Sequence, residues 1–103
     1  MGDVKYETII CIANAGFSGE VMDAARKEGA TGGTILHARG TARKKAEEEF
    51  KITVNPEKDF ILIVVRADLK DNIMKSIYEH AGLNTDANCV AFSLPVTKAL
   101  GIK

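Results

Sequence analysis

The chain has 103 residues, enough for one domain, and 46% apolar with 27% charged side chains is ordinary for a globular protein. Fourteen basic and fourteen acidic side chains cancel, so no overall charge favours nucleic acid or an anionic membrane as a partner. No apolar run approaches the roughly 20 residues of a membrane-spanning helix, and the charged N-terminus lacks the apolar core of a signal peptide. We therefore expect a cytoplasmic protein, not inserted in a membrane, that forms one domain over residues 1–103.

The two cysteines support this interpretation. Cys11 and Cys89 lie in apolar surroundings, as is typical of reduced core residues in a protein that is not secreted. A disulfide between them is the less favoured reading, and no CxxC motif indicates a metal or redox site.

The first half of the chain has the pattern strand, helix, strand. A continuous apolar run predicts a central strand at residues 8–13, and apolar residues at helical spacing predict a helix over residues 20–28. Ser18 is expected to cap the start of this helix, and Gly29 stands where a helix end favours a left-handed residue. Thr34–Arg39 is predicted to be the second strand.

The second half repeats this pattern. The run at residues 60–65 is the clearest strand in the sequence, and Asp68 is expected to cap a second amphipathic helix that Gly82 ends. A turn-forming loop follows, and then a last strand that Pro95 stops.

This order of elements predicts an α+β, ferredoxin-like βαββαβ sandwich, with an antiparallel sheet and both helices on one face. The central strands are apolar on both sides, so the second face of the sheet also needs cover from water. Self-association is the simplest way to provide that cover.

A long segment, residues 40–57, separates the two halves. It begins basic, becomes acidic and ends with alternating polar and apolar residues. Connections of this length are often functional. The alternative is a solvated segment with Lys–Glu pairs, including a short helix capped by Thr41. The residues alone leave both readings open.

Common functions of this fold lack their site residues in this sequence. An RNA-recognition domain needs aromatic residues on its central strands, and a heavy-metal domain needs a CxxC motif in its first loop. An acylphosphatase-like enzyme would need an arginine in that same loop. The only histidines are His37, in the middle of a strand, and His80, at a helix end, and neither has a catalytic partner by spacing. We expect no catalytic residues, no metal ligands and no nucleic-acid partner.

The stretch from Gly29 to Arg43, "GATGGTILHARGTAR", together with "FILIVVRADLKDNIMKSIYEHAG" and "VAFSLPV", resembles the PII family of nitrogen-regulatory signal proteins. The similarity covers residues 6–96. It implies a non-enzymatic homotrimer, with an adenine-nucleotide effector (AMP, ADP, ATP or a cyclic nucleotide) bound between subunits and no required cofactor. Residues 40–57 would be the T-loop, the arm with which the family binds partners such as membrane transporters or regulatory enzymes.

The resemblance also implies a set of functional residues. Small residues let a flat base approach the backbone, whereas the Arg-Gly turn would face its phosphates. Candidate ligand-binding residues are Gly32, Gly33, Thr34, His37, Arg39, Gly40, Arg43, Ile63 and Val64. Candidate partner-binding residues are Lys44, Lys45, Glu47, Glu48 and Glu49.

The sequence departs from the family pattern at several phosphate contacts. The usual Gly-x-Gly-Lys segment is here Ala87-Asn88-Cys89-Val90, the last residues lack the paired arginines, and Lys44 replaces a glutamine. The shorter arm also holds no tyrosine or serine that could be modified. These departures argue against 2-oxoglutarate sensing and against covalent modification of the arm. They leave two alternatives open: an interaction trimer with a vestigial nucleotide site, and a small ferredoxin-like enzyme.

Overall fold

The computed structural model describes residues 4–41 and 56–102. Its elements, in chain order, are β1 (Tyr6–Asn14), α1 (Ser18–Lys27), β2 (Thr34–Arg39), β3 (Glu57–Arg66), a 3₁₀ turn (Ala67–Leu69), α2 (Lys70–Ala81) and β4 (Val90–Pro95). The segment predicted as an arm lies outside the described residues from 42 to 55, as does its alternative, a short helix after Thr41.

The four described strands form one antiparallel sheet in the order β2-β3-β1-β4. β1 and β3, the two runs that are apolar on both sides, form the central pair, whereas β2 and β4 lie at the edges. The two helices pack against each other and against the sheet. This arrangement confirms the predicted ferredoxin-like fold.

The core lies between the sheet and the helices. On the central strands, Ile9, Cys11, Ile61 and Ile63 are fully buried because alternate side chains point toward the helices. The one polar side chain from α2 in this core, Ser76, is satisfied because its Oγ donates to the Ala24 carbonyl at 2.8 Å. This side of the sheet is therefore closed by the chain itself.

The opposite side of the sheet, which we call the open face, is also apolar. The register places Ile10 opposite Leu62 on β3 and opposite Phe92 on β4, so these three side chains share the open face. Exposure rises toward the edges, reaching 42% at Phe92 and 57% at Leu36. No described helix or strand packs on this face, so the need for cover that the sequence predicts is present in the structure.

Two predicted helix caps are wrong. Ser18 is the first residue inside α1, because the Val21 N–H already donates to the Phe17 carbonyl, and Phe17 holds the cap position without a side-chain bond. Asp68 lies in the 3₁₀ turn before α2, and its carboxylate accepts from Arg66 at 3.1 and 2.9 Å instead of capping the helix.

The predicted helix ends are confirmed. Gly29 follows α1 with a φ of 110°, and its N–H donates to the Arg26 carbonyl, as expected for a left-handed residue after a helix. Gly82 is the residue at which α2 ends. Within the described ranges, no helix is long and apolar enough to cross a membrane.

Candidate functional site

A cleft of about 610 Å³ lies where β1 begins and β3 ends. Tyr6 on β1 and Arg66 on β3 are paired in the strand register, and both line the cleft. The lining residues are Val4, Tyr6, Gly29, Ala30, Thr31, Val64, Val65, Arg66, Leu69, Gly101 and Ile102. The wall combines apolar side chains with polar groups, and Arg66 is the charged side chain in it.

The glycines beside this cleft have three different roles. Gly29 ends α1, and a Cβ there would lie 3.1 Å from Leu69 Cδ1. A Cβ on Gly33 would lie 3.1 Å from both the Leu62 carbonyl oxygen and Met22 Sδ, so this glycine lets the chain pass closely over β3. Gly32 has open space where its Cβ would be. Packing therefore explains Gly29 and Gly33, whereas Gly32 leaves room for an external group.

The predicted ligand-binding residues fall into two groups in a single chain. Val64 and Thr31 line the cleft. Gly32, Gly33 and Thr34 follow Thr31 directly in the sequence. Ile63, the neighbour of Val64, is fully buried in the core because successive strand residues point to opposite faces.

The second group lies at the far end of β2. From Thr34 to Gly40 the chain advances about 20 Å at the usual rise of a strand. His37, Arg39 and Gly40 are therefore remote from the cleft of their own chain. Arg43 and all five candidate partner-binding residues lie outside the described residues.

A histidine–carboxylate pair occupies this far end. His37 Nδ1 lies 2.8 Å from Asp59 Oδ1, and the Gly16 N–H donates to Asp59 Oδ2 at 3.1 Å. The Asp59 side chain is 2% exposed, whereas that of His37 is 89% exposed. When Nδ1 carries the proton and donates to Asp59, the outward Nε2 is left as an acceptor, so the buried carboxylate fixes both the tautomer and the direction of the ring.

Further polar contacts join the neighbouring loops to this end of the sheet. Lys58 Nζ donates to Asn14 Oδ1 at 2.7 Å, and Asn14 Nδ2 donates to the Asp86 carbonyl at 2.9 Å. The Gly40 N–H donates to the Pro56 carbonyl at 2.7 Å, which brings together the two ends of the segment between β2 and β3. This end of the sheet thus holds the base of that segment on a network of hydrogen bonds.

Asp59 and Lys58 are candidate site residues that the sequence analysis missed. The visible signal was two charged residues directly before the apolar run of β3. Their partners become evident only with the strand register, which places Asp59 opposite His37 and Lys58 opposite Asn14. Among the residues described, no three His, Cys, Asp or Glu side chains come together as a metal site.

Comparison with known proteins agrees with this architecture. The family model described as nitrogen regulatory protein P-II matches residues 6–103. The crystal structure of a PII protein from Arabidopsis thaliana bound to citrate is 26% identical, with a TM-score of 0.66, and the match covers 91% of this chain and 77% of that one. A PII-like signalling protein from Thermus thermophilus shares the fold at 16% identity, with a TM-score of 0.68 over 90% of this chain and 87% of that one.

Comparison with curated protein sequences gives no match. Proteins of the P-II family are regulatory proteins rather than enzymes, and they form trimers that bind small effectors and partner proteins. The family match extends over nearly the whole chain, and the sheet order and helix placement agree with it. The chain belongs to the nitrogen regulatory protein P-II family.

Proposed function

We propose that this protein is a cytoplasmic, homotrimeric signal protein that binds a small anionic effector in clefts between subunits. An adenine nucleotide is the first effector to test. Effector binding is transmitted to a partner, such as a membrane transporter or regulatory enzyme, through residues 40–57. The observation that carries the proposal is the cleft of about 610 Å³ beside the glycine-threonine segment, together with a second sheet face that no described helix or strand covers.

The open face supports the trimer. It is a continuous apolar surface that includes Ile10, Leu62, Phe92 and Leu94, the last of which is 50% exposed. Burying such a surface against other copies of the same chain gains roughly 25 cal/mol per Å² of apolar area. A closed ring of subunits removes this surface from water without requiring a second protein.

The separation of the predicted ligand residues supports a site between subunits. In one chain the cleft and the His37–Gly40 end are too far apart to contact one small molecule. In a ring, the cleft of one subunit can face the far end of the next, so that the cleft and the Arg39-Gly40 turn meet. This arrangement uses both groups of residues in one site.

The chemistry of the cleft supports a small anion. Arg66 is its charged wall, although its guanidinium also bonds to the Asp68 carboxylate at 2.9 Å. The Arabidopsis relative is bound to citrate, which is a small polycarboxylate. We therefore include citrate with nucleotides among the effectors to be tested. The two free, buried cysteines support a reducing compartment.

A thermal-shift screen tests this proposal with AMP, ADP, ATP with Mg²⁺, cyclic nucleotides, citrate, bicarbonate and 2-oxoglutarate. A ligand at 100 times its Kd adds about 2.7 kcal/mol of stability, which is easily measured. Arg43→Ala is expected to weaken binding without unfolding the protein, and Lys75→Ala, on an exposed position of α2, is the matched control. No shift with any of these compounds would contradict the proposal.

One observation favours a second function, an interaction trimer with a vestigial nucleotide site. Ala87 and Cys89, which stand where the family has phosphate-binding glycines, are 2% and 7% exposed and pack in the core. Under this alternative Arg43→Ala changes no ligand affinity, whereas replacing Glu47, Glu48 and Glu49 weakens binding of a protein partner. The same screen therefore separates the two functions.

A further inference from the structure

The two cysteines, 78 positions apart in the sequence, meet on one side of the sheet. Cys11 on β1 lies opposite Ala91 on β4, and Cys89 precedes Ala91 by two residues. Cys89 lies just before β4, and both cysteines belong to the core between the sheet and the helices, so both thiols lie on the helix side. Cys11 is fully buried and Cys89 is 7% exposed, so Cys89 is the sulfur that lies nearer to solvent.

The two thiols differ in their electrostatic surroundings. Hydrogen bonding with Cys89, together with burial, raises the pKa of Cys11 well above its usual range. Hydrogen bonding from Cys11 lowers the pKa of Cys89, whereas burial opposes this shift and the Ile12 N–H supports it. Cys89 is also the more exposed of the two sulfurs, so a hydroperoxide from solvent meets Cys89 first, and Cys11 lies behind it as the second thiol.

We infer that Cys11 and Cys89 form a redox-sensitive pair, which a small hydroperoxide converts to a disulfide within the chain. The Cys89 thiolate attacks the peroxide oxygen, the O–O bond breaks, and Cys89 becomes a sulfenic acid as the other oxygen leaves and takes up a proton to form water. Cys11 then attacks the Cys89 sulfur and a second water leaves. Two thiols lose two electrons and two protons, and one hydrogen peroxide becomes two waters.

Closing this bond requires the backbone to move. A diagonal pair across antiparallel strands has its Cβ atoms about 7 Å apart, whereas a disulfide needs about 4 Å. The segment around Cys89 therefore shifts toward β1. Two backbone hydrogen bonds hold this segment in the reduced protein. The Cys89 N–H donates to the Ala81 carbonyl at 2.8 Å, and the Asn14 N–H donates to the Ala87 carbonyl at 2.9 Å. Oxidation strains or breaks these bonds.

The segment that moves precedes β4 and contains Asn88, the one described non-glycine residue with a positive φ. This segment takes the place of the Gly-x-Gly-Lys pattern of the family, and Cys89 stands at the position of the second glycine. An effect of oxidation on effector affinity rests on the proposed function. The disulfide and its structural signature do not, because both are measured without any effector.

The test uses the full-length protein, reduced, freed of reductant and then treated with hydrogen peroxide. We expect the intact mass to fall by two hydrogen atoms, with full reversal by a dithiol reductant. Peptide mapping should find the peptides of Cys11 and Cys89 linked, and amides of residues 82–89 should exchange faster in the oxidised protein. An unchanged mass, or linkage only between different chains, overturns the inference.

Single-cysteine variants assign the roles. Cys11→Ala should convert Cys89 to a sulfenic acid that dimedone traps, whereas Cys89→Ala should resist the same peroxide dose. Trapping at Cys11 in the Cys89→Ala variant, at a rate equal to that of Cys89 in the other variant, contradicts the assignment. The wild-type mapping does not depend on these variants, so it decides the inference even where one of them folds poorly.

Discussion

The two faces of the sheet are built from similar residues but are completed in different ways. On the helix side, Ile9, Ile61 and Ile63 are fully buried by the chain's own helices. On the open face, Leu36 and Leu94 are 57% and 50% exposed although they are just as apolar. Because adjacent residues of one strand point to opposite faces of the sheet, the same strand contributes side chains to the core and to the assembly surface. The difference shows that composition predicts which strands are central. It does not predict whether a face is covered by the chain's own helices or by another subunit.

A charge on the open face should have the largest effect. Leu62→Glu places a carboxylate beside Ile10, where another subunit is proposed to lie, and burying an unpaired charge costs several kcal/mol. We expect complete dissociation to monomers, measured by light scattering after size-exclusion chromatography. Tyr78→Glu, on a 62% exposed position of α2, is the control and should leave the mass unchanged. A trimeric Leu62→Glu protein would contradict this assignment of the interface.

Truncation of the helix-side core should come next. Ile63→Ala removes a fully buried side chain and should lower the free energy of unfolding by about 2–5 kcal/mol. Urea denaturation at two protein concentrations separates the faces. The Ile63→Ala loss should be the same at both concentrations, whereas a Leu94→Ala loss should depend on concentration, because subunit association contributes to stability. If the stability loss depended on protein concentration in the same way for both variants, the proposed distinction between the two faces would be wrong.

The two neighbouring glycines provide a smaller and more local comparison. Gly33→Ala brings a Cβ to 3.1 Å from the Leu62 carbonyl oxygen and should cost about 1–3 kcal/mol of stability. Gly32→Ala meets open space and should change stability by less than about 0.5 kcal/mol. If a ligand occupies that space, Gly32→Ala should instead weaken effector binding. Thermal denaturation measures the first pair of effects, and titration calorimetry measures the last.

A further small effect is expected at the histidine pair. Asp59→Asn keeps the shape of the side chain but removes a buried charge that accepts from His37 and Gly16, and we expect a loss of about 1 kcal/mol. The His37 ring resonances should also shift in the NMR spectrum, because its tautomer is no longer fixed. Asp23→Asn, on the exposed side of α1, is the control. No change in the His37 resonances would show that Asp59 does not orient the ring.

Local patterns were sufficient to predict the strands, the helices and the glycine helix ends. The caps at Ser18 and Asp68 were wrong because a suitable side chain near a helix start does not determine where backbone hydrogen bonding begins. Strand alternation alone could have separated Ile63 from Val64, since neighbours within a strand point to opposite faces of the sheet. Local sequence thus determined the elements more reliably than their ends.

The contacts that depend on register could not be predicted. His37 meets Asp59 across 22 positions, and Cys11 and Cys89 join the same core from 78 positions apart, so neither pair leaves a local signal. The ligand-binding role of His37, Arg39 and Gly40 remains a prediction, since a single chain keeps these residues away from the cleft. It requires the assembly of several chains to be tested.

The most direct test of this account is the mass of the wild-type protein by sedimentation equilibrium, at micromolar concentration and without effector. The account predicts the mass of three chains, because the open face is apolar across all four strands and needs a partner. A monomer that remains folded under these conditions, with the open face in water, would contradict both the proposed interface and the proposed effector site between subunits.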